Sequence, residues 1–509
     1  MCLCVKVLQK PQLVSMDPPE KAGKRRGAAA PDGGYAWLIL LSCFFVFGLT
    51  FGVIKSFGVF FVEIQQYFET TAAGTSWITS IAVATIHIAA PVSSALSARF
   101  SHRAVVISGG LICSAAVVFG ALARSLTELY ITVGFLNGFG YALTWTPTVT
   151  MLGLYFDRRR PVANALASAG ECILTFSLTP LFQLLIDSFS WRGALLILGG
   201  LQLNLCVCGM LLRPLRAPRD ANVIRKVKEE EESLQKGDLE ETKLGFRLES
   251  ELNVLEMNDQ ETVKDCVEVP DETSSVTGNS STGPKRTQLR TRVQHYVDYT
   301  LITNGRFMVY SMFGVFAALG FFAPSLFLVP YARSQGLSEY QAAALLSISA
   351  VLDLFGRIFF GWVANLRLIQ TVQQLTATVV LLGAVLLLCP LASTFPELVA
   401  FSAAHGLVYG ATVAVHITVL PEVVGVERLG SALGFFMLIR SSGGLLGPPI
   451  AGFFIDKMEN YGMGFLMSGV ALIVSALFLL ILHQMNQQSQ KTATDAALTE
   501  KKIWKKCFC

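Results

Sequence analysis

Residues 347–363 read SISAVLDLFGRIFFGWV, an apolar run interrupted by one acid and one base, Asp353 and Arg357. The run sits inside a longer hydrophobic stretch over 340–364, which satisfies the roughly 20 residues a helix needs to cross a bilayer. The two charges are four residues apart, so a helix carries them on one face. An Asp or Arg at the centre of a membrane helix costs about 2.5–3.5 kcal/mol on insertion scales, and such residues face a cavity or a partner rather than lipid. The pair reads as an anion site. Arg357 offers a planar fork of donors to a carboxylate. Asp353 pairs with it when the site is empty and takes a proton when a substrate anion competes for the guanidinium. The competing reading is a structural ion pair, but apolar residues would replace a purely structural pair at little cost.

Outward from this stretch the same pattern repeats. Spans are expected at about 36–62, 76–97, 104–123, 127–154, 162–186 and 192–212, then at about 307–332, 340–364, 370–391, 395–420, 429–455 and 462–483. The expected fold is all-α: a polytopic membrane protein of 12 transmembrane helices in two six-helix halves, 36–212 and 305–483. Between them, 213–304 carries an acidic run (Glu229 to Glu232), a Ser/Thr-rich stretch (Ser274 to Thr282) and a basic stretch (Lys285 to Arg292), with no apolar period. That composition is expected of a disordered linker. Polar tails, 1–35 and 484–509, flank the whole. The first lacks the apolar core and cleavage site of a secretory signal. Two helical sixes around a polar segment suit parallel repeats related by an axis along the membrane normal.

Composition excludes the alternatives. Of 509 residues, 52% are hydrophobic and 15% charged, and the mean hydropathy is +0.53. An ordinary soluble domain carries roughly 25% charged residues, so a soluble multidomain enzyme is excluded, as is a disordered or fibrous chain. No phosphate loop, HExxH, CxxC pair or GxSxG occurs in a suitable context, so no catalytic residue, cofactor or metal site is expected. Cys206-Val207-Cys208 lacks metal spacing. A net charge of +4 argues for no nucleic-acid partner. Without a nucleotide-binding domain, transport has to run on solute or ion gradients. Six of the 11 cysteines lie in apolar runs, as small hydrophobes, and no short loop assigned outside the cell carries one. Cys2, Cys4, Cys507 and Cys509 sit beside basic residues, either as exposed thiols or as acylation sites.

Basic residues set the orientation. The N-terminal tail, Arg99, Arg103, Arg158 to Arg160, Arg367, Arg428 and the tail from Lys501 all fall on one side, and the other side is poor in Lys and Arg. Such residues collect in the cytoplasm, so both termini and the linker are expected there.

Further ionisable residues lie within spans. Lys55, in FGVIKSFGVFF, either draws an anion inward or extends to the outer interface. Arg440, in FFMLIRSSGGLLGPP, either lines the cavity or pairs with Glu422 or Glu171. His87, His405 and His416 read first as packing residues. Tyr409 either shapes the pocket by its size or packs.

Three patterns resemble the monocarboxylate transporter family of the major facilitator superfamily. Asp32-Gly33-Gly34-Tyr35-Ala36-Trp37 resembles the DGGWGW signature, with Tyr35 where Trp is usual. The stretch from Tyr155 to Gly170 resembles the start of the family's fifth span, YFxRRxLAxGxAxAG. The Asp353/Arg357 pair matches the eighth-span pair of proton-coupled members. KSFGVFF and SAGEC resemble a member associated with ketone bodies and taurine, whereas FSWRGALLILGG and LNLCVCG resemble one linked to creatine. The resemblance implies substrate binding by Arg357, Lys55 and Tyr409 and proton coupling by Asp353 and Lys55. Arg440 departs from the family pattern and is a further substrate-binding expectation. The implied function is alternating-access transport of a small monocarboxylate, with a proton, across the plasma membrane. A single-span immunoglobulin-type accessory glycoprotein is the implied companion. The rivals are uncoupled transport of a zwitterion or neutral solute such as taurine, creatine or an amino acid, a non-transporting sensor, and a channel.

Overall fold

The computed structural model describes residues 33–156, 159–213, 301, 303–365, 369–424 and 429–507, and every regular element among them is helical. The helices in chain order are α1 (36–67), α2 (Ala72–Arg99), α3 (His102–Ala121), α4 (126–155), α5 (160–189) and α6 (191–211). They continue with α7 (Gly305–Ser334), α8 (Glu339–Asn365), α9 (Thr371–Leu388), α10 (Phe395–Val424), α11 (Leu429–Met458) and α12 (Gly462–Cys507). Nine segments among the described residues are long and apolar enough to cross a bilayer. One of them, Val162–Leu211, breaks at Ser190 (φ 62°, ψ 170°) and supplies both α5 and α6. α4 and α11 add two more by length, since 30 residues of helix span about 45 Å. Twelve passes result among the described residues.

The outward faces carry many large apolar side chains, Phe119, Phe359 and Trp362 among them, each more than half exposed, as suits a lipid surrounding. Buried hydroxyls inside the bundle return to their own helix: Thr50 donates to Val46 O, Thr175 to Glu171 O and Thr179 to Thr175 O. This leaves no unpaired O–H at those positions, as an apolar slab demands. At the start of α1, Tyr35 donates its hydroxyl to Leu211 O at 2.8 Å, and the Arg213 guanidinium lies 5.9 Å from its ring centroid. The first and sixth helices are thereby tied at one end, by a hydroxyl the usual Trp lacks.

At the opposite end, polar side chains join the first six helices to the last six. Arg333 pairs with Glu63 at 3.0 Å and with Glu339. Gln183 donates to Glu339 at 3.0 Å, and Tyr461 donates to Gln65 at 2.9 Å. Asp456 caps α2 by accepting from Ala72 N–H (2.7 Å) and Ala73 N–H (2.9 Å).

α12 does not stop where its apolar stretch stops. It runs on to Cys507 through a stretch rich in Gln, Lys, Ala, Leu and Glu, residues of high helix propensity. The N-terminal tail to residue 32 and nearly all of 213–304 lie outside the described residues. So do Asp32, Asp157, Arg158, Arg367 and Arg428, Cys2, Cys4, Cys266 and Cys509, and the Cys507 side chain.

Candidate functional site

Four charged side chains from three helices meet at mid-length of the bundle. Lys55 Nζ on α1 lies 2.8 Å from Asp353 Oδ2 on α8 and 2.8 Å from Glu171 Oε1 on α5. Arg357 grips Asp353 through Nε (2.7 Å to Oδ1) and Nη2 (3.0 Å to Oδ2). It reaches Glu171 Oε2 through Nη1 at 3.0 Å, and the same Nη1 lies 3.5 Å from Ser168 O. Each cation thus touches both carboxylates, and the formal charges sum to zero. Side-chain exposures are 3% for Asp353, 7% for Arg357, 11% for Glu171 and 17% for Lys55, so water screens these contacts little. Ion pairs this deep persist only when every charge has a partner.

Local sequence explains the convergence. Asp353 and Arg357 share a face by their i,i+4 spacing, and the planar guanidinium closes on the carboxylate in two-point fashion. Gly170, immediately before Glu171, lets α5 close on α1: a Cβ there would run into Phe44 O. Gly410 does the same for α10 against α8, where a Cβ would strike Asp353 O. α1 itself departs from regularity just before Lys55, with a widened π turn over Gly48–Gly52. Such turns add a residue without adding a turn and re-aim the side chains that follow. α7 is interrupted at Phe322, ahead of Pro324. Broken helices at a midplane cavity are a recurrent construction in transporters.

Beside the quartet is a cavity of about 30 Å³, lined by Lys55, Asp353, Thr175, Phe321, Ser349 and Tyr409, among others. That exceeds the roughly 10–15 Å³ a water needs. Tyr409 covers the quartet on this side, with Lys55 Nζ 4.4 Å from its ring centroid, a cation–π contact. Phe321 meets Tyr409 edge-on at 5.7 Å, and the His405 ring lies 5.8 Å from that of Tyr409. His405 Nδ1 shares a 3.2 Å hydrogen bond with Ser349.

Arg440 stands apart from the quartet. Its guanidinium lies over the Phe321 ring at 5.6 Å, and no carboxylate among the described side chains pairs with it. The expected alternative partner Glu171 is committed to Lys55 and Arg357, because Gly170 holds α5 against α1. The other, Glu422, has its side chain outside the described ones. His87 and His416 are within electrostatic reach of Arg440. His87 bonds its own helix at Val83 O (2.8 Å), and His416 Nε2 has no hydrogen-bond partner among the described residues.

The structure therefore gathers Lys55, Asp353, Arg357 and Tyr409 and leaves Arg440 outside the quartet, against the Phe321 ring. Lys55 turns inward to carboxylates rather than outward to the interface. Glu171 is the residue sequence reasoning left out of the site. Its signal was available: an acid deep in an apolar run, directly after the Ala169-Gly170 step that permits close approach. The end cluster of Glu63, Arg333 and Glu339 was also passed over, since charges near helix ends look like ordinary loop residues.

A twelve-pass helical bundle with a charge-balanced site at its centre is the construction of a secondary carrier. The model of the Major Facilitator Superfamily matches residues 40–382 and 372–508. The chain is 35% identical over 459 residues to monocarboxylate transporter 2 of Mesocricetus auratus, covering 90% of this chain and 85% of that protein. It is 37% identical to monocarboxylate transporter 12 of Mus musculus (89% and 86% covered) and 34% identical to monocarboxylate transporter 7 of Homo sapiens (89% and 87% covered). The chain belongs to the monocarboxylate transporter family of the major facilitator superfamily, and it is a membrane transporter rather than an enzyme.

Proposed function

We propose that the protein carries small monocarboxylates, of the ketone-body type or related organic acids, across the plasma membrane by alternating access, each anion accompanied by a proton. The observation that carries this reading is the quartet: two cations held at the bundle centre by two carboxylates, on helices from both halves. An anion that enters with one proton leaves the quartet's charge sum unchanged, so neither step strands a charge in the slab. Arg357 and Lys55 receive the carboxylate, Asp353 and Glu171 are the carboxylates available to a proton, and Tyr409 with Phe321 limits the size of the organic portion. Arg440, over the Phe321 ring, draws the anion toward the cavity. Residues 36–212 and 305–483 act as the two rocking bodies. Both termini face the cytoplasm, supported by the bias of Lys and Arg. An immunoglobulin-type single-span glycoprotein is the companion that family membership suggests. The names of the three relatives support the substrate class.

One observation favours a second reading. Because Glu171 already neutralises the site, a zwitterion such as taurine or creatine would fit it with no proton at all. Radiotracer uptake of 3-hydroxybutyrate, lactate, taurine and creatine at two external pH values separates the two. The first reading expects acid-stimulated uptake of the monoanions, abolished in Arg357→Ala and Asp353→Asn. Uptake confined to taurine or creatine and indifferent to pH would replace it with the second.

A further inference from the structure

We infer that Glu171 is an internal stand-in for the substrate's carboxylate, and that it is the group which takes up the transported proton and surrenders its place to the anion. The inference rests on the proposed monocarboxylate reading and narrows it to one residue. Glu171 spans the two cations with one oxygen each, Oε1 to Lys55 Nζ at 2.8 Å and Oε2 to Arg357 Nη1 at 3.0 Å. Two donors spaced to fit one carboxylate will hold any carboxylate of that shape. Asp353 is differently placed. It accepts from Arg357 Nε and Nη2 and from Lys55 Nζ, so a proton there gives up three charged contacts, against two at Glu171. Asp353 is also the less exposed side chain, 3% against 11%. The groups that face Glu171 are Lys55 from α1, Asp353 and Arg357 from α8 and Tyr409 from α10, with Cys172 beside it on α5. His405 faces Lys55 and Asp353 from α10.

The helix assignments add a second consequence. Lys55 and Glu171 lie on the first six helices, Asp353 and Arg357 on the last six. Two of the quartet's contacts stay within a half, Lys55–Glu171 and Arg357–Asp353, and two cross between halves, Lys55–Asp353 and Arg357–Glu171. Separation of the halves breaks the crossing contacts and leaves each half with a neutral pair. The empty carrier can therefore reorient. In the loaded step the proton forms an O–H on Glu171, the Lys55 and Arg357 contacts to it are released, and the substrate carboxylate accepts from the same two donors. The charge sum stays at zero only if one proton enters for each monoanion.

The test uses purified full-length protein with 3-hydroxybutyrate as the probe. In weakly buffered solution the wild type should take up about one proton per anion bound, and none when taurine is added. In proteoliposomes its uptake should rise about tenfold per unit fall in external pH where the proton limits the rate. Glu171→Gln should bind the anion without proton uptake and give a flat pH profile, and Glu171→Asp should restore the slope. Persistence of the wild-type slope or proton uptake in Glu171→Gln overturns the assignment. Should that variant fail to fold, binding of 3-hydroxybutyrate to the wild type without proton uptake overturns it equally. Absence of any binding or transport of 3-hydroxybutyrate or lactate by the wild type is a different result, which removes the monocarboxylate reading and this assignment together.

Discussion

Arg357 and Arg440 are both arginines inside the apolar slab, and their surroundings could hardly differ more. Arg357 spends every donor nitrogen on two carboxylates and one carbonyl. Arg440 has an aromatic face at 5.6 Å and no described carboxylate. The contrast separates two uses of a buried cation. A charge matched by fixed carboxylates can bind an anion only by exchange, with a proton displacing the internal partner. A charge left unmatched attracts an anion at any pH, because nothing has to be displaced. On the proposed reading Arg357 is the coupled position, and Arg440, with no carboxylate among the described side chains, is an uncoupled one.

Removing Arg357 should have the largest effect. Arg357→Gln leaves Asp353 and Glu171 sharing only Lys55, and breaking a buried pair in this way costs about 3–5 kcal/mol. Uptake should fall below detection and the thermal midpoint in detergent should drop. Adding Glu171→Gln to the same chain balances the charges again, so the double variant should recover much of the midpoint while uptake stays lost. A double variant no more stable than the single one would mean that charge balance is not what holds the quartet.

Arg440→Gln should act on substrate and not on folding. Stability should change by no more than about 1 kcal/mol, KM should rise about tenfold, and the pH profile should keep its slope. A loss of thermal stability on the scale of Arg357→Gln would make Arg440 a structural cation and dissolve the contrast. The smallest effect is expected at the bundle's end. Arg333 is 24% exposed and contacts Glu63 and Glu339, so Arg333→Gln should cost about 0–1 kcal/mol and alter the maximal uptake rate less than about twofold. A collapse of transport there, with protein still at the membrane, would show that the end cluster, not the quartet, governs joining of the halves.

The sequence alone determined the architecture. Apolar stretches of membrane length recur with turn signals between them, and lipid allows only helices or closed barrels to cross it. It also placed Asp353 and Arg357 on one helical face, because they are four residues apart. It marked Lys55, Tyr409 and Arg440 as out of place in oil, without saying which of them meet. That was left to tertiary structure. Lys55 and Asp353 are 298 positions apart and Arg357 and Glu171 are 186 apart, separations at which no periodicity reaches. Contacts between distant helices depend on how closely backbones approach, and here that is set by single glycines, Gly170 against Phe44 and Gly410 against Asp353. The same packing gave Glu171 to Lys55 and Arg357 and kept it from Arg440, a choice between equally charged partners that only three-dimensional distance could make.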